Sequence, residues 1–205
     1  MLRTSVESLR RVTLVPLVLI WALLGDGCVS RQVRLPRAPD TPADVGAAGA
    51  PTLGLAPVRD ARPNEAAGYV GALKLTAGAE AKDYLLKKAT RALYEKGYHV
   101  VSSPDPSGSH GAGHLFKAKI IVLTLQTLSM EGEGLGPVQA TTTLTAQVYD
   151  ESETLAYVHT FQGSSNDHFG LSANPDALAG KIMAAALDQA IATMIADTRF
   201  VAAMH

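Results

Sequence analysis

Val138-Gln139-Ala140-Thr141-Thr142-Thr143-Leu144-Thr145-Ala146-Gln147-Val148-Tyr149 alternates with a period of two. Ala140, Thr142, Leu144, Ala146 and Val148 fall on one side of an extended chain. Gln139, Thr141, Thr143, Thr145 and Gln147 fall on the other. Successive side chains of a strand point to opposite faces, so this stretch predicts a strand with one face in a core and one in water. Leu155 to Gln162 reads as its hairpin partner. The connection Asp150–Thr154 lacks the Asn-Gly or Asp-Gly of a tight two-residue turn. A four-residue loop, 151–154, pairs Asp150 with Leu155, Val148 with Tyr157, Ala146 with His159 and Leu144 with Phe161. A three-residue loop would put Tyr157 and Phe161 on the polar face instead. Burying a Phe side chain contributes roughly 1.5–3 kcal/mol, which favours the four-residue loop. Thr141, Thr143, Thr145, Gln147, Val158 and Thr160 then form the other face, without a reactive group. That face, or a sheet edge beside it, is the expected meeting place for a protein partner.

Upstream, residues 117–128 read as a further strand, strongly apolar at Ile120–Leu123. Its blurred alternation suggests a central strand covered on both sides. Residues 131–137 make a Gly-rich turn. Residues 52–58 suggest a short strand, with Pro57 favouring an edge or an end. Residues 64–78 read as a Gly- and Ala-rich connection. A helix is expected over residues 80–96, with Leu85, Leu86, Ala89 and Leu93 on one face and Gly97 terminating it. Tyr98–Val101 follows as a strand, then a loop to Leu115. After a polar loop over 163–173, Asn174-Pro175 opens a second helix with a side-chain cap and a proline in its first turn. Its buried stripe is Met183, Leu187, Ile191, Met194 and Ile195. The sum is an α+β fold: a mostly antiparallel sheet of about five strands with two helices packed on one face.

The N-terminal third is organised differently. Arg3, Arg10 and Arg11 precede an uncharged run from Val12 to Leu24; Gly25-Asp26-Gly27 follows, then Cys28, the only cysteine of 205 residues. A basic start, a short apolar stretch and small residues at its end make a secretory signal. Thirteen helical residues reach roughly 20 Å, short of a hydrocarbon core of about 30 Å. A permanent membrane anchor and ordinary cleavage with Cys28 as a spectator are the two other readings. A single cysteine in an exported chain cannot form an internal disulfide, so its place at the cleavage point suggests a lipid acceptor. The segment resembles a bacterial lipoprotein signal. Gly27 fits its box; Asp26 and the position of Leu24 depart from it. The resemblance implies acylation of Cys28, an anchor of three acyl chains that holds permanently, and, with Val29 next, the outer membrane. The division is then 1–27 signal peptide, 28–50 lipidated cysteine and flexible Ala/Pro/Gly-rich tether, and 51–205 a single periplasmic domain. The tether is expected because it has no apolar periodicity with which to fold alone.

Removing residues 1–27 takes away Arg3, Arg10, Arg11, Glu7 and Asp26, and moves the net charge from −1 to −2. No basic excess is left to bind nucleic acid. Residues 51–205 suffice for one core.

The order and spacing of four segments resemble a known family, the YajG-like bacterial lipoproteins. They are Val58-Arg59-Asp60-Ala61-Arg62-Pro63, the helix running into Gly97-Tyr98-His99-Val100, the meander ending Phe161-Gln162-Gly163, and a last helix finishing Ala196-Asp197-Thr198-Arg199-Phe200. The likeness spans roughly residues 52–203. It implies an outer-membrane lipoprotein, and a related layout occurs in envelope lipoproteins that are accessory parts of larger machines; the expected role is that of a non-catalytic accessory or protein-interaction component of an envelope complex. The alternative is a binding module for a small lipid or glycan.

Chemistry-bearing constellations are sparse. His110 and His114 sit in a Gly-rich loop with no Cys or Glu beside them, which reads as solvated loop rather than a metal site. Ser164, Ser165, Asp167 and His168 are neighbours in sequence, but a working triad is assembled from separate elements. Asp60 and Arg62 read either as a binding pair or as groups that satisfy backbone at a strand end. Glu131–Gly136 has no Lys and opens no helix, so it does not cradle phosphate. No cofactor and no metal ligand set is expected.

Overall fold

The computed structural model describes residues 30–40, 50–70, 73–102, 114–127, 136–169 and 174–205. In chain order its elements are β1 (Ser30–Gln32), β2 (Thr52–Leu55), β3 (Arg59–Asp60), β4 (Ala66–Val70), β5 (Leu73–Thr76), α1 (Ala79–Glu95), β6 (His99–Ser102), β7 (His114–Thr127), β8 (Gly136–Tyr149), β9 (Leu155–Phe169), α2 (Pro175–Ala196) and α3 (Thr198–Ala202). The fold is α+β.

β7 is the spine. One side of it pairs antiparallel with β8, and β8 pairs antiparallel with β9. Its other side is shared, end to end, by β2, β3 and β4, all parallel to it. β6 lies beyond β2; β5 and then β1 lie beyond β4. The five expected strands are therefore present, and β1, β3, β4 and β5 are additional. The sheet is mixed: its long ladders are antiparallel, and most of its short ones are parallel. Residues 64–78 are not a connection but contain β4 and β5. Their Gly and Ala content hides the strands: β4 forms because long β7 offers a free side to pair with, and β5 then pairs with β4. The polar loop expected from Gly163 is likewise strand, since β9 runs on to Phe169.

The alternation in β8 holds throughout. Val138, Ala140, Thr142, Leu144, Ala146 and Val148 are all at most 2% exposed. β9 takes the four-residue-loop register: Val148 faces Tyr157, Ala146 faces His159, and Leu144 faces Phe161. Only the end differs. Tyr149 rather than Asp150 pairs with Leu155, leaving Ala156 as a bulge. Asp150 is used otherwise: its Oδ1 accepts from the backbone N–H groups of Ser152 and Thr154, at 2.9 Å each, and closes the loop. The blurred pattern in β7 has a local cause. A register shift between Ile120 and Val122 changes the phase, so buried Phe116 and Ala118 before it and Leu123 after it share the core side.

Both helices pack on that side. In α1, Leu85, Ala89 and Leu93 are buried, Leu86 is partly so, and Gly97 (φ 93°) lies just past the helix end. Asn174 caps α2 by accepting from the N–H groups of Asp176 and Ala177. All five residues of the expected stripe, Met183 to Ile195, are buried. Between the helices, the Tyr84 hydroxyl and the Lys88 ammonium both donate to Asp188, at 3.0 and 2.9 Å. Burial, reinforced by the Asp188 charge, pushes the Tyr84 hydroxyl above its ordinary range.

What reads as one last helix is two. Asp197 is extended and caps α3 through Oδ1, which accepts from Arg199 N–H at 2.8 Å. The break turns fully buried Phe200 back onto Phe116, with ring centroids 5.5 Å apart and edge to face. Tyr157 donates its hydroxyl to Asp197 at 2.9 Å, and burial together with that carboxylate pushes the phenol up to about 12.

The expected tether needs correction over residues 30–40. β1 pairs with β5, Val33 N–H donates to the Thr76 carbonyl at 2.8 Å, and Val33 and Ala38 are buried. Arg31 pairs with Asp176 on α2, and Leu35 N–H donates to Glu80 on α1. A segment too polar to fold alone still docks where a sheet edge is already formed. Cys28 and residues 41–49 lie outside the described residues.

Candidate functional site

The sheet face turned away from the helices carries Thr141, Thr143, Thr145 and Gln147, each half-buried, beside exposed Val158 and Thr160. This is the face the alternation assigns to water, and the helices leave it uncovered because they occupy only the apolar side. Thr145 and Thr160 sit opposite one another with their hydroxyls 3.3 Å apart. Along β8 the surface is flat and uncharged.

Toward β7 the same face deepens into a cavity of about 460 Å³, lined by Ala56, Pro57, Arg59, Lys117, Gln147 and Tyr149 among others. Register explains the grouping. Lys117 lies opposite Gln147 on β8, and Arg59 arrives through the pairing of β3 with β7. The Lys117 ammonium stands 4.2 Å from the centroid of the Tyr149 ring, a cation–π contact worth roughly 0.5–1 kcal/mol at an exposed site. Among the described residues the lining holds two cations and no carboxylate. Two cations beside the apolar Ala56 and Pro57 make a lining that suits an anionic group. Sequence reading missed Arg59, Lys117 and Tyr149. The signal for Lys117 and Tyr149 is the β7–β8 register, which was not legible across the turn between those strands, and that for Arg59 is the pairing of β3 with β7.

The other constellations fall apart or turn inward. Strand alternation places Ser165 and Asp167 on the helix side of β9 and Ser164 and His168 on the opposite side, so they do not converge. Asp167 accepts from the His168 backbone N–H at 2.8 Å. His114 opens β7, and His110 and residues 131–135 lie outside the described residues. Among the described residues no group of three or more His, Cys, Asp or Glu could hold a metal.

Asp60 and Arg62 form a buried unit, with side chains 5% and 3% exposed. Arg62 donates Nε and Nη2 to the two Asp60 oxygens at 2.9 and 2.6 Å. Its Nη1 and Nη2 also reach the carbonyls of Ala66 and Ala77, at 3.0 and 2.7 Å. The pair satisfies backbone at the ends of β3, β4 and β5 and has no access to a ligand. Burial works against the Asp60 carboxylate, but the Arg62 hydrogen bonds and charge outweigh it and hold its pKa below the ordinary range.

No family model and no curated protein matches the chain. Several solved structures are similar. One is a putative neuraminyllactose-binding hemagglutinin homologue from Helicobacter pylori, 10% identical, covering 85% of this chain and 96% of its own, at a TM-score of 0.48. Another is a protein of the DUF330 family from Xanthomonas campestris, 16% identical, with coverages of 86% and 95% and a TM-score of 0.45. A third is a minor lipoprotein from Acinetobacter baumannii, 12% identical, with coverages of 72% and 90% and a TM-score of 0.43. At such identities and scores the likeness carries no function across.

Proposed function

We propose that the chain is a bacterial envelope lipoprotein of the YajG-like kind, anchored through Cys28 in the outer membrane and facing the periplasm. It acts without catalysis, as an accessory component that binds another envelope protein through the free face of the sheet. The observation that carries this reading is the face itself: two strands of 14 and 15 residues whose side away from the helices is rich in Thr and Gln and ends in a cavity with two cations. Such a surface suits a protein presenting a polar strand or loop with a carboxylate. The alternative, a lipid or glycan module, needs an apolar pocket between helices and sheet. That layer is filled by Phe116, Leu144, Phe161, Met183 and Leu187, all at most 3% exposed.

Anchoring gains a geometric consequence from β1. β1 begins at Ser30, two residues after Cys28 in sequence, so an anchor at Cys28 would leave a short connection to the sheet rather than a long leash. The test is metabolic labelling with a fatty-acid analogue. Label is expected on the wild type and absent from Cys28→Ser; equal label on both would dispose of the anchor.

The partner face has its own test. Thr143→Glu with Thr145→Glu places two charges on the face and is expected to remove the protein captured by the wild type from detergent-solubilised membranes, with the thermal midpoint unchanged. Retention of the same partner by the folded double variant would reject the face as the contact.

A further inference from the structure

The cavity at the β7 end of the free face carries charge that its surroundings do not cancel. Arg59 and Lys117 both line it. Elsewhere on the described surface cations stand beside acids, as Lys87 does beside Asp83 and Arg91 beside Glu95, at 3.1 and 2.8 Å. Arg59 and Lys117 have no such partner among the described residues. The acids that follow the lining residues in sequence are engaged elsewhere. Asp60 comes after Arg59, but strand alternation turns it to the other side of β3, where Arg62 holds it in a buried pair. Asp150 comes after Tyr149, and its Oδ1 closes the hairpin loop by accepting from Ser152 and Thr154. Lys117 rests on the Tyr149 ring instead. A ring face attracts an ammonium through its quadrupole and does not neutralise it. Two positive charges are therefore left in the cavity of a chain whose net charge is −1.

Register sets the spacing of the two. Arg59 pairs with Lys119, two residues on from Lys117 along β7. Neighbouring strands lie about 4.8 Å apart and two residues of a strand span about 6.7 Å, which puts the Cα atoms of Arg59 and Lys117 roughly 8 Å apart on the diagonal. Alternate residues of an extended segment share a face at a similar separation, about 6.7 Å. Thr145 and Gln147, which can donate hydrogen bonds, line the cavity and also belong to the free face. A segment lying on the face thus runs on into the cavity. A lone small anion would meet the cations and leave the face, and most of a cavity of about 460 Å³, unused.

We propose that the cavity seats two carboxylates, from Asp or Glu at alternate positions of an extended segment of the protein partner, one on Arg59 and one on Lys117. This site rests on the free face being the partner surface, and it defines what the partner presents there. Arg59 takes its carboxylate through the guanidinium fork, whose planar donors match the two oxygens. Lys117 leaves the Tyr149 ring to reach the other, so the ring contact is the resting state of an empty site.

The test follows the Lys117 ammonium itself, in the full chain in detergent. Reductive methylation with isotope-labelled formaldehyde keeps each lysine charged and gives it a methyl signal. Lys117→Arg identifies the signal of Lys117, and Tyr149→Leu shows how far the ring current displaces it. The probe is a blocked peptide with Glu-Thr-Glu at its centre. The controls are Gln-Thr-Gln, of the same length, and Glu-Glu-Thr, which has the same charge but turns its acids to opposite faces. Glu-Thr-Glu is expected to move the Lys117 signal saturably toward its position in Tyr149→Leu. Its affinity is expected to fall about fivefold or more in Arg59→Gln, and to fall as salt is raised. Gln-Thr-Gln should leave the signal in place, Glu-Glu-Thr should bind several-fold more weakly, and inorganic phosphate should bind more weakly than Glu-Thr-Glu. A signal that Glu-Thr-Glu does not move overturns the proposal. So do equal affinities for the two acidic peptides, tighter binding of phosphate, or an Arg59→Gln variant that binds as the wild type does. The site and the face fail separately. A silent Lys117 signal, with the partner still lost from Thr143→Glu with Thr145→Glu, removes the carboxylate site and keeps the face. A saturable shift, with the partner retained by that double variant, keeps the carboxylate site and rejects the face.

Discussion

Arg62→Met is expected to lower stability at neutral pH by about 3–5 kcal/mol, the cost of stranding one member of a buried ion pair. The loss is large because Arg62 serves several groups at once. It holds both oxygens of Asp60 and the carbonyls of Ala66, at the start of β4, and Ala77, just past the end of β5. Without it the Asp60 carboxylate stays buried with only the Arg62 backbone N–H left as a donor, at 3.1 Å. Removing both partners, Asp60→Leu with Arg62→Met, should cost less than the sum of the two single changes, because no charge is then stranded. Urea denaturation of the four proteins gives the coupling directly. A loss under about 1 kcal/mol for Arg62→Met, the range of an exposed ion pair, would show that the pair is solvated.

The same pair sets the acid limb. The folded pKa of Asp60 lies below its unfolded value, so between the two the unfolded state binds more protons. The stabilisation is complete above the unfolded value of about 3.9 and disappears as pH falls through the folded one. Arg62→Met should therefore flatten the fall in stability below pH 4 as well as lower the plateau.

How much of this was legible in the sequence depends on which signal each element carries. β8 was readable residue by residue because one of its faces is dry and the other wet. Its register with β9 followed from the same alternation, since only one loop length buries Tyr157 and Phe161 with Leu144 and Val148. α2 announced its start through Asn174 and Pro175. The short strands β3 and β4 had no such signal. Gly68 and the alanines of β4 read as loop, and β3 is two residues long; what makes these segments strands is the long free side of β7, a partner 40 or more residues away in sequence. The same limit hid Arg59 and Lys117. Each is an ordinary surface cation until the pairing of β3 and β8 with β7 places them round one cavity. The break at Asp197 was missed for the opposite reason: the apolar period continues across it into Phe200, and the cap is visible only once the Asp197 carboxylate is seen to accept from Arg199.

Leu187→Ala should cost toward the upper end of the 2–5 kcal/mol found for buried leucines. Leu187 is fully buried at the middle of α2. Truncating a leucine is cheap where the neighbours can close over the cavity and expensive where they cannot. Here they cannot, because α2 already touches the sheet backbone to backbone. Gly163 of β9 lies against the carbonyl of Ala186 and the N–H of Ala190, so close that an added Cβ would overlap the Ala186 oxygen. Ala184, Ala186 and Ala190, all buried, permit that approach. The helix is pinned on both sides of the residue. Leu187→Met, which nearly conserves volume, should cost less than about 1.5 kcal/mol. Gly163→Ala should push α2 outward at a cost of about 1–3 kcal/mol. Once the helix has been displaced, the leucine has less contact to lose, so the double variant Gly163→Ala with Leu187→Ala should fall short of the sum of the singles. Equilibrium urea titrations of these variants test the idea. Strict additivity, or a Leu187→Ala cost below about 2 kcal/mol, would mean that the helix is free to settle and that Gly163 does not set its height.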